Sequence, residues 1–542
     1  MKILRLCFVA LLAAVVGTAV AGVKPRGRGA RRVRTDVENK DVALLAQLRI
    51  GTRESSSMPA TGRPYVPVIL VQFPDLRFQS GLAKGTQCET EEDVQKVKAY
   101  FDLFCNGRRD GGHYSGARSA AAVSEYFRDQ SGGLFEPEFV VIGPVTLDRS
   151  YTYYGQNSDS RLDVNITSFY YDALVKARGE MEGRWDDFDN NNNGVIDMAF
   201  FVFAGEGENA LDPVEDPMAD YHIWPKENPS GGTYDNRKYG CLACCNETYE
   251  GEIDGIGVFV HELSHALGLP DFYDTNYVNY GLDYWDIMDS GDYCKEGQVP
   301  CGFSAYEMDF MGWRSMDELS MTEVAHVKLD PLGSGGKAVR VYNPENTNEY
   351  FVFENRQSKG WDSFIGNGEG ANRAHGMLVT RVDYVVKRWQ NNSVNTSPSI
   401  PLVQIIPANG KALSYMDVPY PVSYESFMDA MLGVPYPGKE GVTELADERL
   451  TVHTTTGVNP GRLGASLYNI VENEDGTVEF DFVPNGLEPP VPDAIEDLAA
   501  VQERNAAPVY TLGGQMVRPA GASVVGLPRG IYVKGGKKIV VR

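Results

Sequence analysis

The chain has 542 residues, of which 42% are hydrophobic and 11% are aromatic. That length exceeds a single compact core and predicts about two to four folding units. The abundance of aromatic residues excludes disorder as the default state of most of the chain. The formal net charge of −24 disfavours electrostatic binding to nucleic acid or to an anionic membrane surface.

The first 21 residues have the pattern of a signal peptide. Lys2 and Arg5 precede an apolar run over residues 6–16, and small residues at 19–21 provide a cleavage site. The run is too short for a permanent membrane anchor, and no other segment is long enough for a membrane-spanning helix. We therefore expect a protein that is secreted or held at the cell surface after cleavage.

Residues 22–60 are basic, polar and rich in glycine. From residue 65 onward, apolar runs typical of strands alternate with segments of helical periodicity. The alternation predicts an α/β region in which a twisted sheet supports the last helix. The expected strands are Val66–Phe73 and Met198–Ala204, and the expected helices are Glu91–Cys105, Ala120–Gln130, Ile166–Ala177 and Ile256–Gly268.

Residues 189–197 carry oxygen-bearing side chains at the spacing of an EF-hand-type loop, with Gly194 at the sharp turn. The predicted Ca²⁺ ligands are Asp189, Asn191, Asn193, Val195 (through its carbonyl oxygen) and Asp197. The loop lacks the bidentate Glu of its last position, where Phe200 stands, so Asp187 or another carboxylate would complete the ligand shell. The alternative is a polar turn that binds no ion.

The segment His261-Glu-Leu-Ser-His265 is the most informative in the chain. On a helix, positions i and i+4 share a face, so both imidazoles can reach one Zn²⁺ ion. Glu262 lies beside them as a candidate general base. Gly268 permits the helix to stop, and the chain can then bring Asp271 to the open side of the metal. A helix whose histidines only pack is the alternative, but burying His, Glu and His without a partner is costly.

A methionine-containing turn follows at Trp285-Asp-Ile-Met-Asp-Ser-Gly291. With this turn, the helix resembles the active site of the immune inhibitor A-type metallopeptidases, secreted zinc enzymes related in motif to the metzincins. Further segments of the chain that resemble the family are Val66–Asp75, Ser124–Gly133, Glu349–Gln357 and Gly376–Asp383. The likeness covers roughly residues 60–484. Arg381 departs from the pattern, because the family usually has a His there.

The resemblance implies a secreted zinc-dependent metalloendopeptidase that cleaves extracellular polypeptides by metal-activated water, with Glu262 as general base. It implies zinc ligation by His261, His265 and Asp271, with Asp274 and Glu307 as competitors for the third position. Met288 would form an apolar floor beneath the metal. Tyr293 would donate a hydrogen bond to the developing oxyanion, unless it is only a surface tyrosine.

Two other functions stay open at this point. One is a calcium-stabilised surface adhesion or binding protein whose peptidase site has lapsed, although such a protein has no physical reason to keep Glu262. The other is zinc-dependent hydrolysis of a non-protein amide, as in cell-wall or glycan processing.

Of the eight cysteines, Cys7 lies in the signal segment, so seven remain after cleavage. Export permits disulfides, and the local pairs Cys88–Cys105 and Cys294–Cys301 are the expected ones. The cysteines of the cluster Cys241-Leu-Ala-Cys-Cys245 could instead form a zinc site.

After residue 315 the pattern changes to short alternating β segments. These are Ala338–Tyr342, Glu349–Asn355, Met377–Tyr384, Val403–Ile406 and Val478–Val483. The last 35 residues resemble the C-terminal sorting domain of type IX secretion, which implies that secretion machinery as a partner; the alternative is a small structural β module.

The predicted fold is an α/β (α+β) metzincin-like zinc peptidase domain followed by a β-rich domain and a small all-β C-terminal module. The predicted parts are a signal peptide (1–21), a basic prosegment or linker (22–60), the zinc metallopeptidase catalytic domain (61–315), the β-rich domain (316–484), a linker (485–507) and the C-terminal sorting-type module (508–542).

Overall fold

The computed structural model describes residues 57–107, 120–158, 162–211, 216–228, 231–276, 281–367, 373–397, 401–411, 429–453, 461–490, 508–519, 527–534 and 537–541. The predicted signal peptide, most of the predicted prosegment and most of the predicted linker at 485–507 lie outside the described residues. The chain divides into two compact units, one ending at Asn485 and the other running from Gly486. Among the described residues, no helix is long and apolar enough to cross a membrane.

The first unit contains helices and strands in mixed order. They are β1 (Tyr65–Gln72), α1 (Glu91–Asn106), α2 (Val123–Gln130), β2 (Glu138–Thr146), α3 (Tyr151–Tyr154), α4 (Ile166–Ala177), β3 (Ile196–Glu206), β4 (Lys226–Asn228), β5 (Gly232–Tyr234), β6 (Arg237–Tyr249), β7 (Glu252–Ile253), α5 (Gly257–Ala266), α6 (Ala305–Phe310), β8 (Asp317–Glu318), β9 (Ala325–Leu329), β10 (Val339–Asn343), β11 (Asn346–Arg356), β12 (Gly376–Asp383), α7 (Val386–Gln390), β13 (Val403–Ile405), β14 (Thr451–Val452), β15 (Gly461–Arg462), β16 (Ala465–Glu472) and β17 (Val478–Pro484).

Short 3-10 helices connect these elements. They are Trp185–Phe188, Glu208–Ala210, Ala219–Tyr221, Asp283–Trp285, Ser290–Tyr293, Leu332–Ser334, Gly360–Asn367 and Asp447–Arg449.

A mixed sheet with strand order β2-β1-β3-β6-β4 forms the centre of the first part, and β5 and β7 also pair with β6. Neighbours among β2, β1, β3 and β6 run parallel. Alternate side chains of β1 serve opposite faces: Val68 and Leu70 pack in the core that contains α5, whereas Ile69 and Val71 pack with α4. The sheet is therefore covered on both faces, as parallel sheets require.

The later part of this unit is a β sandwich. One sheet has the order β13-β12-β11-β10-β8 and the other has the order β16-β17-β9. Their facing side chains form one core, in which the Phe353 and Phe480 ring centroids lie 5.6 Å apart. Val352 and Leu378 point the other way and join the core that contains α5. The β-rich part is thus packed against the part that carries the predicted metal ligands.

The second unit contains an antiparallel sheet with the order β19-β18-β20-β21. Its strands are β18 (Val509–Thr511), β19 (Met516–Arg518), β20 (Gly530–Lys534) and β21 (Lys537–Val541). Its small core contains Val509, Leu527 and Tyr532.

The strands and helices expected from periodicity are all present, with ends that differ by a few residues. Residues 57–60 were expected to belong to the prosegment or linker, but they pack against the α/β part. Met58 donates a backbone hydrogen bond to the Ala266 carbonyl oxygen (3.3 Å), and the Trp313 indole donates one to the Ala60 carbonyl oxygen (2.6 Å). Met58 and Ala60 are both buried.

The cysteine predictions are wrong in two respects. Cys88, Cys105, Cys294 and Cys301 are free cysteines in the structure, so neither expected pair is bonded, and burial raises the pKa of the Cys88 and Cys105 thiols. The cluster 241–245 lies within β6, where side chains alternate between faces. Cys241 and Cys245 enter one core and Cys244 enters the other, so the three sulfurs cannot share a zinc ion.

A buried guanidinium connects the two parts of the first unit. Arg356, fully buried at the end of β11, donates to both carboxylate oxygens of Asp362 (2.8 and 2.7 Å), to Glu354 (3.0 Å) and to the Gly302 carbonyl oxygen (2.8 Å). Glu354 in turn accepts from the backbone N–H of Ala305 (2.6 Å) at the start of α6. Each buried charge therefore has a partner across the junction between β11 and α6.

Replacing this guanidinium tests the junction. Arg356→Ala leaves the carboxylates of Glu354 and Asp362 buried without their cation, so the free energy of unfolding should fall by about 3–5 kcal/mol. Urea unfolding followed by tryptophan fluorescence measures the change. Lys328→Ala is the control, because Lys328 is half exposed in its ion pair with Glu479 and should cost no more than about 1 kcal/mol. Equal losses in the two variants would contradict this assignment.

Candidate metal centre

Helix α5 is fixed against the central sheet by aromatic stacking and by a close backbone approach. The Phe259 ring stacks on Phe200 of β3, with centroids 3.7 Å apart. At the start of the helix, Gly257 lies so close to the Asp292 carbonyl oxygen that a Cβ there would be 1.9 Å from it. The helix therefore has little freedom to shift, and the side chains that it carries are held in place.

The chain reverses direction directly after α5, at Gly268. This residue has φ of 99°, a conformation that side chains disfavour, and its N–H donates to the His265 carbonyl oxygen at 2.9 Å. The turn brings Asp271 back to the helix face that carries His261 and His265.

Three side chains converge on one point. Asp271 Oδ1 lies 3.2 Å from His261 Nε2 and 3.4 Å from His265 Nε2. Two ligands bound at about 2.0–2.1 Å in a tetrahedral site would lie about 3.3 Å apart. The chemistry and spacing of these donors therefore fit Zn²⁺, and within the described part of the chain they form one of two such groups of potential metal ligands.

Backbone carbonyl groups fix the orientation of both imidazoles. The His261 Nδ1–H donates to the Ile287 carbonyl oxygen and the His265 Nδ1–H donates to that of Leu269, each at 2.8 Å. A proton held on Nδ1 leaves the lone pair on Nε2, where it faces Asp271. The imidazoles are therefore arranged as metal ligands before any metal binds.

The methionine turn provides one of those carbonyl groups. Met288 is fully buried, its N–H donates to Asp286 Oδ1 (2.9 Å), and its carbonyl oxygen accepts from the Phe272 N–H (2.9 Å). The turn therefore supports both His261, through Ile287, and the segment that carries Asp271. Its role as an apolar floor beneath a metal stays a prediction.

Asn392, which the sequence analysis did not identify, holds Asp271 from a distance of 121 residues in the chain. Its Oδ1 accepts from the Asp271 N–H at 2.6 Å, and its amide nitrogen donates to Asp271 Oδ2. That second bond leaves Oδ1 of Asp271 directed at the imidazoles. Asn392 lies just after α7, with φ of 50°, so the β-rich part of the unit contributes directly to the site.

Glu262 lies on the same helix next to the three converging groups. Its Oε2 is 4.0 Å from His265 Nε2. His261, Glu262 and Asp271 are each at most 1% exposed, whereas His265 retains 8%. The carboxylate is thus held in a protected position beside the nitrogen that faces Asp271.

The two competitors for the third ligand position are directed elsewhere. Asp274 Oδ1 accepts from the Asn276 N–H at 2.8 Å. Glu307 caps α6 through the Ser304 N–H and hydroxyl (2.7 and 2.9 Å), and it also hydrogen-bonds Asp286. Burial raises the pKa of Asp286 to about 7 and that of Glu307 well above its usual value, as expected where two buried carboxyl groups lie next to each other.

Tyr293 is buried, so its interpretation as a surface tyrosine is wrong. Its hydroxyl accepts a hydrogen bond from the Asn209 amide at 3.2 Å, and burial raises its pKa well above the usual value, which keeps it protonated. Its role as an oxyanion donor stays a prediction. The His222 ring donates a hydrogen bond from Nδ1 to the Glu206 carbonyl oxygen (2.9 Å).

The loop at 189–197 is held by hydrogen bonds among its own residues. Asp189 accepts from the backbone N–H groups of Asn193 (2.9 Å) and Gly194 (2.7 Å). Asp197 accepts from the Asn191 amide at 3.0 Å, and burial raises the pKa of Asp197 to about 7. Asp187 pairs instead with Arg184 (3.2 Å), so the structure does not bring it into the loop.

Comparison with known proteins extends these observations. Residues 60–316 match the family described as immune inhibitor A peptidase M6, catalytic domain. The chain is 29% identical over 294 residues to the pre-pro-metalloprotease PrtV of Vibrio cholerae, a match that covers 48% of this chain and 31% of that protein. It is 27% identical over 271 residues to immune inhibitor A of Bacillus thuringiensis, which covers 45% of this chain and 39% of that protein.

The matches thus span about a third of the length of these relatives. The family match falls on the α/β part of the chain, in which His261, His265 and Asp271 converge. The region over residues 60–316 is similar to the catalytic domain of the immune inhibitor A peptidases of family M6, and the matches support a metalloprotease.

Proposed function

We propose that the protein is a secreted zinc-dependent metalloendopeptidase that hydrolyses peptide bonds of extracellular proteins. The observation that carries the proposal is the convergence of His261 Nε2, His265 Nε2 and Asp271 Oδ1, with Glu262 beside them. The similarity to metalloproteases supports the same reaction class. The proposed signal peptide at residues 1–21 and the sorting-type tail at 508–542 would direct export.

In this mechanism His261, His265 and Asp271 would hold the ion. Zinc, when bound, would act as a Lewis acid that polarises the scissile carbonyl and acidifies the attacking water. Glu262 takes the proton of that water and passes it to the leaving amine. Tyr293 would donate its phenolic hydrogen to the oxyanion, and the Ile287 and Leu269 carbonyl groups keep the imidazoles in their ligating tautomer.

Glu262→Gln tests the general base. The substitution keeps the volume of the side chain but removes its basicity, so kcat/KM for casein should fall by roughly 10²–10⁴ while the zinc content stays unchanged. Activity and zinc content are measured on the same preparation. His265→Ala should lose zinc together with activity, because it removes a ligand.

Glu448→Gln is the matched control, since Glu448 is exposed in an ion pair with Arg462, and it should keep full activity. Full activity in Glu262→Gln would overturn the assigned role. Loss of zinc in that variant would mean that Glu262 helps to hold the metal instead. A wild-type protein that binds a polypeptide without cleaving it would favour an adhesion protein.

Asn392→Gly tests the support of the third ligand. Glycine tolerates the positive φ at this position but cannot orient Asp271, so zinc affinity should fall about 10–100-fold. A chelator competition titration measures the affinity. Asn469→Gly is the control, because Asn469 also has positive φ (54°) but lies in β16, and its zinc affinity should match the wild type. Equal affinities in all three proteins would show that Asp271 needs no support from Asn392.

We also propose that residues 189–197 bind Ca²⁺ and stabilise the loop before β3. The proposed ligands are Asp189, Asn191, Asn193, Asp197 and the carbonyl oxygen of Val195. The spacing of oxygen-bearing side chains along the loop supports this role, and oxygen-only shells suit Ca²⁺.

Calcium should raise the thermal unfolding midpoint of the wild-type chain, because an ion that binds only the folded state stabilises it. Asp189→Asn should remove most of that increase, since the charge of the carboxylate is lost while its shape is kept. Asp148→Asn serves as the control, because Asp148 is exposed and pairs with Lys176. This variant should keep the calcium-dependent increase in the unfolding midpoint. An increase that survives in Asp189→Asn would place calcium elsewhere.

A further inference from the structure

A second group of metal-ligating side chains lies in the β sandwich, apart from the site on α5. It consists of Glu349, Asp383 and His453, whose ligand atoms all lie within 4.8 Å of one another. These residues come from three separate segments: β11, β12 and the residue directly after β14. We call them the sandwich cluster.

Strand register places the two carboxylates opposite each other. Glu349 and Asp383 are direct partners in the antiparallel pairing of β11 with β12. Like charges at directly opposite positions destabilise a sheet, and burial increases the cost because little water screens them. The Glu349 side chain is fully buried and that of Asp383 is 11% exposed. A cation bound between them would offset the repulsion of the two carboxylates.

His453 faces both carboxylates with one nitrogen atom. Its Nδ1 lies 2.7 Å from Asp383 Oδ2 and 3.8 Å from Glu349 Oε1. These separations bracket the value of about 3.3 Å expected for two ligands of one tetrahedral ion. The His453 side chain remains 16% exposed, which leaves solvent access on one side of the cluster.

Further contacts fix the carboxylate of Glu349 in place. It accepts from the His453 backbone N–H (2.8 and 3.0 Å) and from the Asn343 amide (2.9 Å). Arg381, two residues before Asp383, directs its guanidinium to the Thr451 and Pro401 carbonyl oxygens and to the Gln404 side chain.

The charge balance of the three side chains favours a bound ion over a cluster held by hydrogen bonds alone. Protonated His453 would balance only one of the two carboxylate charges, whereas a divalent cation with neutral imidazole balances both. An imidazole nitrogen among the ligands favours Zn²⁺ or a similar transition metal over Ca²⁺ and Mg²⁺, which prefer oxygen ligands.

A related cluster in the same sandwich lacks this geometry. His326 approaches Asp481 through Nδ1 (2.8 Å) and Glu479 through Nε2 (3.7 Å), so its two carboxylates lie at different nitrogen atoms. Its side chain is 64% exposed. The pair of clusters therefore offers a matched comparison between convergent and divergent ligands.

We propose that Glu349, Asp383 and His453 form a second, structural Zn²⁺-type site that ties the end of β14 to β11 and β12. A solvent molecule would complete the tetrahedral shell, since the protein provides three ligands. The proposal does not depend on the catalytic function of the α5 site.

The test separates the two sites by variants of the full chain. In His261→Ala/His265→Ala, which removes the α5 site, we expect about one equivalent of zinc to remain after dialysis against Zn²⁺, and about two equivalents in the wild type. Adding Asp383→Asn or His453→Gln should lower the zinc affinity of the remaining site at least about tenfold. Zinc is counted by inductively coupled plasma mass spectrometry, and affinity is measured by chelator competition.

Asp383→Asn keeps a group that can hydrogen-bond His453, so circular dichroism and urea unfolding without metal should match those of the parent. His326→Gln, in the divergent cluster, should leave the zinc count and affinity unchanged. A folded double variant that binds no zinc would overturn the proposal and leave a hydrogen-bonded cluster. Zinc that binds equally well after both Asp383→Asn and His453→Gln would also overturn it.

Discussion

The geometry of the α5 site depends on one carboxylate. Asp271 Oδ1 must face two imidazole nitrogens at once, and the other oxygen of the same group is held by Asn392. Three independent features produce this arrangement: the turn spacing of the two histidines, the positive φ at Gly268 and the return of the chain at the end of α7. A shift in any of them would separate the carboxylate from the imidazoles.

The rest of the first unit holds these three features in their relative positions. The central sheet supports α5 through the stacked rings of Phe200 and Phe259, and the Ile287 carbonyl oxygen of the methionine turn accepts a hydrogen bond from His261 Nδ1. The β sandwich reaches the site through Asn392 and is joined to the α/β part by Arg356. The similarity to M6 catalytic domains ends at residue 316, yet Asn392 lies beyond it. The residues after 316 therefore contribute to the candidate metal centre and do not merely follow it.

Local spacing predicted the elements and residues whose geometry is local. The i, i+4 pair His261 and His265, the stop at Gly268 and the apolar periodicity of α4 depend on a few neighbouring residues, and each was predicted at its place. The sequence did not predict the central strand β6. Its cysteine-rich segment shows neither the alternation of a half-buried strand nor a typical apolar run, although the strand is almost continuously buried. Asn392, the burial of Tyr293 and the convergence of Glu349 with His453 could not be predicted, because contacts across about a hundred residues leave no spacing signal in one sequence.

The most direct test of this account is a crystal structure of the zinc-loaded chain with anomalous diffraction data at the zinc edge. The account predicts an anomalous peak bound by His261 Nε2, His265 Nε2 and Asp271 Oδ1, with Asn392 still hydrogen-bonded to the other oxygen of Asp271. A peak ligated by Asp274 or Glu307 in place of Asp271, or no peak on α5, would contradict it.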